Sequence, residues 1–176
     1  CPVFRTALTI KAQAEALAKT AFETLNFRRF AILYPRSSYG KTFMHAFWDE
    51  VEKRNGEIRG VESYEHDQTT FREPVQKIVG RWHRSARKDY EELKQEIIDK
   101  KLSPHRTQSA IERMQKGLPP IVDFDAIVIP DSGKNLGLIA PAIAFEDIVM
   151  TRNKKTIEKI KKATGHEEIN PITLLG

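Results

Sequence analysis

The residues best placed to do chemistry follow three predicted strands. An apolar run at residues 30–35 gives way at residues 36–40 to Arg-Ser-Ser-Tyr-Gly, where a helical pattern starts. The carboxyl ends of two other predicted strands, at residues 5–9 and 131–133, also carry polar residues. Because open α/β sheets bind ligands beyond the carboxyl ends of their strands, these three turns are the first candidates for a binding site.

The turn at residues 36–40 carries groups that suit a polar ligand. Ser37, Ser38 and the free amides of the first helical turn could bind an anion such as a carboxylate, and Tyr39 could present its ring and hydroxyl to a cleft. Two structural roles stay open beside this interpretation. The serines could only cap the helix, and Tyr39 could only pack on the face that it shares with Phe43.

Catalytic patterns are scarce. The sequence has neither a G-x-S-x-G elbow nor a G-x-x-x-x-G-K-[ST] phosphate loop, and its five histidines include no H-x-x-x-H pair. A single cysteine, Cys1, rules out an intrachain disulfide and argues against a zinc site. Asp131 resembles a phosphoacceptor, but residues 36–38 stand where a receiver domain needs its acidic pair. We therefore expect no enzyme, no metal site and no cofactor.

The composition is that of an ordinary globular domain. The chain has 176 residues, of which 40% are hydrophobic and 30% charged, as is usual for such domains. No apolar run approaches the roughly 18 residues that span a bilayer, and no signal peptide is visible. Both ends look cut, so residues 1–176 are interpreted as a single domain excised from a longer parent. Cys1 is then a boundary residue, although a lipid-anchored first residue is the alternative.

The basic excess is concentrated in one segment. The net charge of the chain is +5, and residues 80–117 hold ten basic and six acidic residues, a local net charge of +4. Such a stripe could bind an acidic partner or a nucleic acid. Acidic residues interleave throughout and no aromatic platform accompanies them, which favours a solvated helical face and argues against nucleic acid.

Hydrophobic periodicity predicts strands that alternate with helices. The predicted strands lie at residues 3–9, 30–35, 57–64, 125–132 and 172–176, and the predicted helices at 10–26, 38–54, 70–101, 105–116 and 134–150. The predicted helix caps are Thr9, Ser37 or Ser38, and Thr69 or Thr70. This order predicts a three-layer α/β fold, a mainly parallel sheet with helices on both faces. Residues 80–117 exceed what one crossover needs and are interpreted as a basic helical insertion, either one long helix or a hairpin.

Several segments in this order resemble a known family. They are "VFRTALT", "FAILYPRSSYGKTF", "GVESYEHDQTTFREPVQKI" and "FDAIVIPDSGKNLGLIAPAIAFEDI". Together they resemble the second lobe of type I periplasmic binding proteins, the leucine/isoleucine/valine-receptor family. The insertion and the segment "GLPPIVDFDAIVIPDS" are most similar to a subgroup, the penicillin-binding protein activators. These are envelope lipoproteins described as regulators of peptidoglycan synthases.

The resemblance implies a periplasmic protein with two lobes and a hinge, whose first lobe this chain lacks. Any membrane attachment would lie in an anchor outside the chain. The Tyr of the family's "-YG-" pattern lines the ligand cleft and corresponds to Tyr39. Cleft residues also follow the strand "AIVIPDS", which points to Asp131 and Ser132. With Ser37 and Ser38, these residues form the predicted ligand-binding set.

Two functions follow from the resemblance. The first is a non-catalytic domain that regulates a cell-wall synthase through protein contacts, which the basic insertion favours. The second is a solute-binding lobe of an amino-acid receptor of the ABC-transporter type, which closes on a small polar ligand. A lone lobe would also expose apolar surface that its partner lobe covers, so weak self-association is expected.

Overall fold

The computed structural model describes residues 7–151, 153–164 and 169–176. Cys1 and most of the predicted strand at residues 3–9 lie outside the described residues. No helix among the described residues is long and apolar enough to cross a membrane.

A parallel sheet of four strands forms the centre of the fold. Its strands are β1 (Arg29–Pro35), β2 (Glu57–Tyr64), β3 (Ala126–Val128) and β4 (Thr173–Leu175), in the spatial order β2-β1-β3-β4. Every neighbouring pair is parallel, so all four carboxyl ends lie at one edge of the sheet. β3 is shorter than predicted because Pro130 has no amide to donate and the Asp131 amide turns back to the Ile129 carbonyl at 2.9 Å.

The described chain contains seven α-helices. They are α1 (Ile10–Lys19), α2 (Ser38–Lys53), α3 (Arg72–Ile78), α4 (Lys88–Asp99), α5 (Pro104–Gly117), α6 (Gly133–Phe145) and α7 (Lys154–Thr164). A π-helical turn, Thr20–Thr24, continues α1, and a short 3-10 helix, Arg84–Ala86, precedes α4. The predicted caps Thr9 and Ser37 are confirmed, because the hydroxyl of each accepts a first-turn amide.

The two central strands, β1 and β3, are apolar on both sides because helices cover both faces of the sheet. Successive residues of a strand point to opposite faces, so Phe30 and Ile32 of β1 pack with the α1 and α2 side chains. Ala31 and Leu33 pack on the other side, in the cluster that contains residues of α3 and α6. This arrangement confirms the predicted three-layer α/β fold with a parallel sheet.

The predicted helix at residues 70–101 is wrong, because the chain breaks after α3. Gly80 has a φ of 66°, and the amides of Arg81 and Trp82 both donate to the Gln76 carbonyl, at 2.8 and 3.2 Å. Glycine adopts this left-handed conformation without the steric penalty of a Cβ. The first turn is not capped by Thr69 or Thr70 either, since α3 begins only after Phe71.

Residues 80–117 form a helical hairpin in which α4 packs on α5. At its base, Gln115 near the end of α5 donates to the Tyr90 hydroxyl of α4 at 2.7 Å. The buried Arg87 guanidinium donates to the Pro119 carbonyl at 2.6 Å and to Asp89. The bond to Pro119 connects the base of the hairpin to the segment that follows it, and the other two lie within the hairpin. That the hairpin is an insertion into a single lobe stays a prediction.

Candidate functional site

The turn between β1 and α2 is held in place by close backbone packing. The Ser37 hydroxyl accepts the Gly40 amide at 3.0 Å, which caps the first turn of α2. A Cβ at Gly40 would lie 2.2 Å from the Pro35 carbonyl oxygen. Only glycine therefore lets the helix start this close to the end of the strand, and this fixes the position of Tyr39.

A cavity of about 380 Å³ opens beside this turn, at the carboxyl edge of the sheet. Its wall combines polar and apolar groups from α1, α2 and the loop after β3. Among its lining residues are Gln13, Leu17, Tyr39, Phe43, Pro130 and Asp131. The structure therefore brings together two predicted site residues, Tyr39 and Asp131, which are 92 positions apart in the sequence.

Tyr39 packs against Phe43 and also lines the cavity, while its role as a ligand contact stays a prediction. Its ring lies 6.0 Å from the Phe43 ring, centroid to centroid, and its hydroxyl donates to the Gln13 side chain at 2.9 Å. The residue is 40% exposed. Burial, and then the negative charge of Asp131, raise the pKa of Tyr39 above its ordinary value. The phenol therefore stays protonated at neutral pH and serves as a hydrogen-bond donor.

Asp131 is an ionised carboxylate held by uncharged donors. The Tyr64 hydroxyl donates to it at 2.5 Å, the Asn135 side chain at 2.8 Å and the Ser132 amide at 2.6 Å. Burial pushes the pKa of Asp131 upward, but these hydrogen bonds outweigh it and lower the pKa below its ordinary value. Burial first, and then the bond to Asp131, raise the pKa of Tyr64, which keeps that phenol a donor.

The three serines of the predicted set take other positions. In the described part of the chain, Ser37, Ser38 and Ser132 are not among the residues that line the cavity. The Ser37 hydroxyl is committed to its cap, and Ser38 and Ser132 are exposed at the starts of α2 and α6. A role for them as ligand contacts stays a prediction.

Sequence analysis missed three residues that shape this site. Gln13 orients Tyr39, while Tyr64 and Asn135 hold Asp131. The position of Tyr64 at the end of a predicted strand indicates in part that it lies near the site, because strand ends meet at the carboxyl edge of the sheet. Gln13 and Asn135 lie on helices, and nothing in the local pattern marks them.

Arg36 faces away from this cavity. Its guanidinium donates to the Ser63 hydroxyl at 2.9 Å and pairs with Glu65 at 2.6 Å, both at the end of β2. It therefore joins the ends of two strands. Within the described ranges, no group of three or more His, Cys, Asp or Glu side chains could hold a metal ion.

Comparison with protein families gives one match. The family model described as "Receptor family ligand binding region" matches residues 2–89, half of the chain. No curated protein sequence matches.

Several solved structures resemble the chain. A periplasmic binding protein from Burkholderia mallei gives a TM-score of 0.45 at 13% identity, over 93% of this chain and 28% of its own. A branched chain amino acid ABC transporter periplasmic ligand-binding protein from Burkholderia xenovorans gives 0.39 at 10% identity, over 92% and 28% of the two chains. An ABC transporter substrate-binding protein from Sphaerobacter thermophilus gives 0.38 at 17% identity, over 89% and 42%. The chain thus spans less than half the length of each.

Proposed function

The chain belongs to the receptor family ligand binding region, and we propose that it is one lobe of a two-lobe periplasmic protein that closes on a small polar ligand. The observation that carries this proposal is the cavity shared by Tyr39 and Asp131 at the carboxyl edge of the sheet. Parallel α/β sheets bind their ligands at this edge. In this proposal the ligand lies between the cavity and a first lobe, and membrane attachment depends on an anchor outside the chain.

The groups in the cavity favour a ligand with a hydrogen-bond donor next to a short apolar part. An ionised carboxylate offers about four acceptor positions, and Asp131 uses three of them within the chain. The remaining position can accept a ligand ammonium or hydroxyl group. Leu17 and Phe43 line the same cavity and suit a small aliphatic group. An amino acid combines these two features.

No bound cofactor and no catalytic step are part of this proposal. The binding role needs only an acceptor and an apolar wall, which Asp131, Leu17 and Phe43 supply. The chain alone should bind weakly, since the cost of fixing the ligand is undiminished while the contacts of the first lobe are absent.

Calorimetric titration of the full-length protein with a panel of amino acids tests the proposal. We expect at least one amino acid to bind, and Asp131→Asn to weaken it about tenfold or more, because a hydrogen bond to a charged group is worth about 1.5 to 3 kcal/mol. Tyr39→Phe should weaken it less. Asp67→Asn, which removes the same charge from an exposed residue outside the cavity lining, is the matched control. If no amino acid binds, or if Asp131→Asn binds as well as the wild type, the proposed site is wrong.

Regulation of a cell-wall synthase, as in penicillin-binding protein activators, is a second candidate. The observation that favours it is the exposure of the hairpin: Tyr90 is the one buried residue of α4, and no residue of α5 is buried, in two helices that are described throughout. Such a surface is available to a partner protein. Binding of the full-length protein to a purified peptidoglycan synthase, lost on exchange of exposed α5 charges such as Arg106→Glu, would favour this candidate. Equal binding by that variant would contradict it.

A further inference from the structure

A second cavity, at the end of α6 opposite to Asp131, has four cations among its nine lining residues. It has a volume of about 100 Å³ and lies where the base of the hairpin meets α3 and the end of α6. Its lining includes Arg72, Gln76, Arg81, Arg84, Lys116 and Glu146. Four of these six side chains are positively charged.

Part of this positive charge is needed inside the protein. Glu146 is only 3% exposed, and a buried carboxylate is costly unless it is paired. Arg81 pairs with it at 3.1 Å and Arg72 at 3.3 Å, and Gln76 donates to it at 2.8 Å. Arg81 also pairs with the neighbouring Asp147 at 2.9 Å. Two arginines are therefore matched by two carboxylates.

The other two cations have no such partner. Arg84 uses its Nε to donate to the Arg81 carbonyl at 2.9 Å. Within the described residues, neither Arg84 nor Lys116 forms an ion pair with a carboxylate. Within the described ranges, the cavity wall thus carries two positive charges that no carboxylate pairs with.

We propose that this cavity binds a phosphate-type oxyanion. A dianion would balance the two uncompensated charges of Arg84 and Lys116. The planar guanidinium of arginine matches the geometry of phosphate oxygens, and lysine supplies a point charge. The cavity is several times larger than one water needs and smaller than the roughly 300 to 1,000 Å³ of sites for drug-sized ligands. It therefore suits a small anion or the phosphate group of a larger molecule that extends into solvent.

Bound phosphate would join three parts of the chain. Arg72 belongs to α3, Arg84 to the 3-10 turn and Lys116 to the end of α5. An anion held by all three would attach the base of the hairpin more firmly to the lobe. A ligand that binds only the folded state also raises the free energy of unfolding.

Calorimetric titration of the 176-residue chain with inorganic phosphate, at fixed ionic strength in chloride, tests this proposal. We expect saturable binding of one phosphate per chain, accompanied by a rise in Tm. Lys116→Gln and Arg84→Gln should each weaken it about tenfold or more. Lys116 is exposed, so Lys116→Gln should fold normally, and Lys116→Arg should restore binding.

The matched control is Lys100→Gln, which removes the same charge from the exposed tip of the hairpin and should change phosphate affinity less than twofold. Titration with glycerol 3-phosphate separates two sources of the ligand: equal binding indicates a phosphate group on a larger molecule, and phosphate binding alone indicates the free ion. Absence of saturable phosphate binding would overturn the proposal. So would an equal loss in Lys100→Gln and Lys116→Gln, because diffuse surface charge would then explain it.

Discussion

The two ends of α6 hold carboxylates in opposite ways. Asp131 lies just before the helix and accepts hydrogen bonds from a phenol, an amide side chain and a backbone amide. Glu146 caps the other end and is held by Arg72 and Arg81. A helix N-terminus favours a negative charge and a C-terminus disfavours it. Asp131 can therefore be ionised beside neutral donors, whereas Glu146 needs cations.

This difference decides what each carboxylate can do. Neutral donors fix the orientation of Asp131 and leave its negative charge unpaired beside the cavity, where the proposed ligand would bind. The charge of Glu146 is neutralised inside the protein, and the surplus around it is positive. In the two proposals made above, the same helix thus separates a site for a cationic group from a site for an anion.

The largest effect is expected when Glu146 loses a cation. Arg81→Met should lower the free energy of unfolding by about 3 to 5 kcal/mol, because it leaves a buried carboxylate under-paired. Urea unfolding measures this. Arg36→Met is the matched control: Arg36 pairs with Glu65, both side chains are more than half exposed, and such pairs contribute about 0 to 1 kcal/mol. Equal losses in the two variants would mean that Glu146 does not depend on Arg81.

Tyr64→Phe tests the neutral-donor end of the comparison. Removing the hydroxyl deletes one hydrogen bond to an ionised carboxylate, so the free energy of unfolding should fall by about 1.5 to 3 kcal/mol, and the pKa of Asp131 should rise. Urea unfolding and NMR titration of the carboxyl measure the two effects. Tyr39→Phe removes a hydroxyl bonded to neutral Gln13 and should leave the pKa of Asp131 nearly unchanged. A rise of equal size in both variants would contradict the assignment of Tyr64.

The sequence predicted those features of the fold that depend on adjacent residues and missed those that depend on distant ones. Ser37 caps α2 and β1 ends at Pro35 as predicted, because both depend on adjacent residues. The break at Gly80 was missed, because the helical pattern of apolar residues continues on both sides of it. The positive φ of Gly80 depends on the direction that the chain takes in the folded structure, which the local sequence does not specify.

The candidate site divides in the same way. The strand-end rule and the family resemblance together pointed to Tyr39 and Asp131, but they pointed equally to three serines that do not line the cavity. Gln13 and Asn135 could not be selected, because their proximity depends on strand order and helix rotation. The sequence analysis also counted the net charge of residues 80–117 as one value, although the two helices differ. α4 holds two basic and five acidic residues, whereas α5 holds three basic and one acidic. An acidic helix and a basic helix can be distinguished only when the bounds of α4 and α5 are known.

Gly40→Ala tests how closely the start of α2 must pack against the end of β1, and the start of α6 provides the comparison. The added Cβ would lie 2.2 Å from the Pro35 carbonyl oxygen, so α2 must shift, at a cost of about 1 to 3 kcal/mol. Ligand binding at Tyr39 should weaken as well. Gly133→Ala is the control at the start of α6, where nothing lies within 4 Å of the added atom. Thermal unfolding should show a loss for Gly40→Ala alone, and an equal loss for Gly133→Ala would contradict this account.

The smallest expected effect is the acid dependence that Asp131 adds to stability. Its pKa is lowered in the folded state, so its stabilisation is fully present above the unfolded pKa, about 4, and is lost as the pH falls through the folded value. Glu50 has a pKa lowered by hydrogen bonds from Lys53 and Arg54 and contributes in the same window. The difference between the wild type and Asp131→Asn therefore isolates Asp131. Urea unfolding at a series of pH values should show a constant difference above about pH 4 that shrinks at lower pH. A difference that stays constant into strong acid would mean that Asp131 does not need its charge, and the contrast between the two ends of α6 would then be one of hydrogen bonding alone.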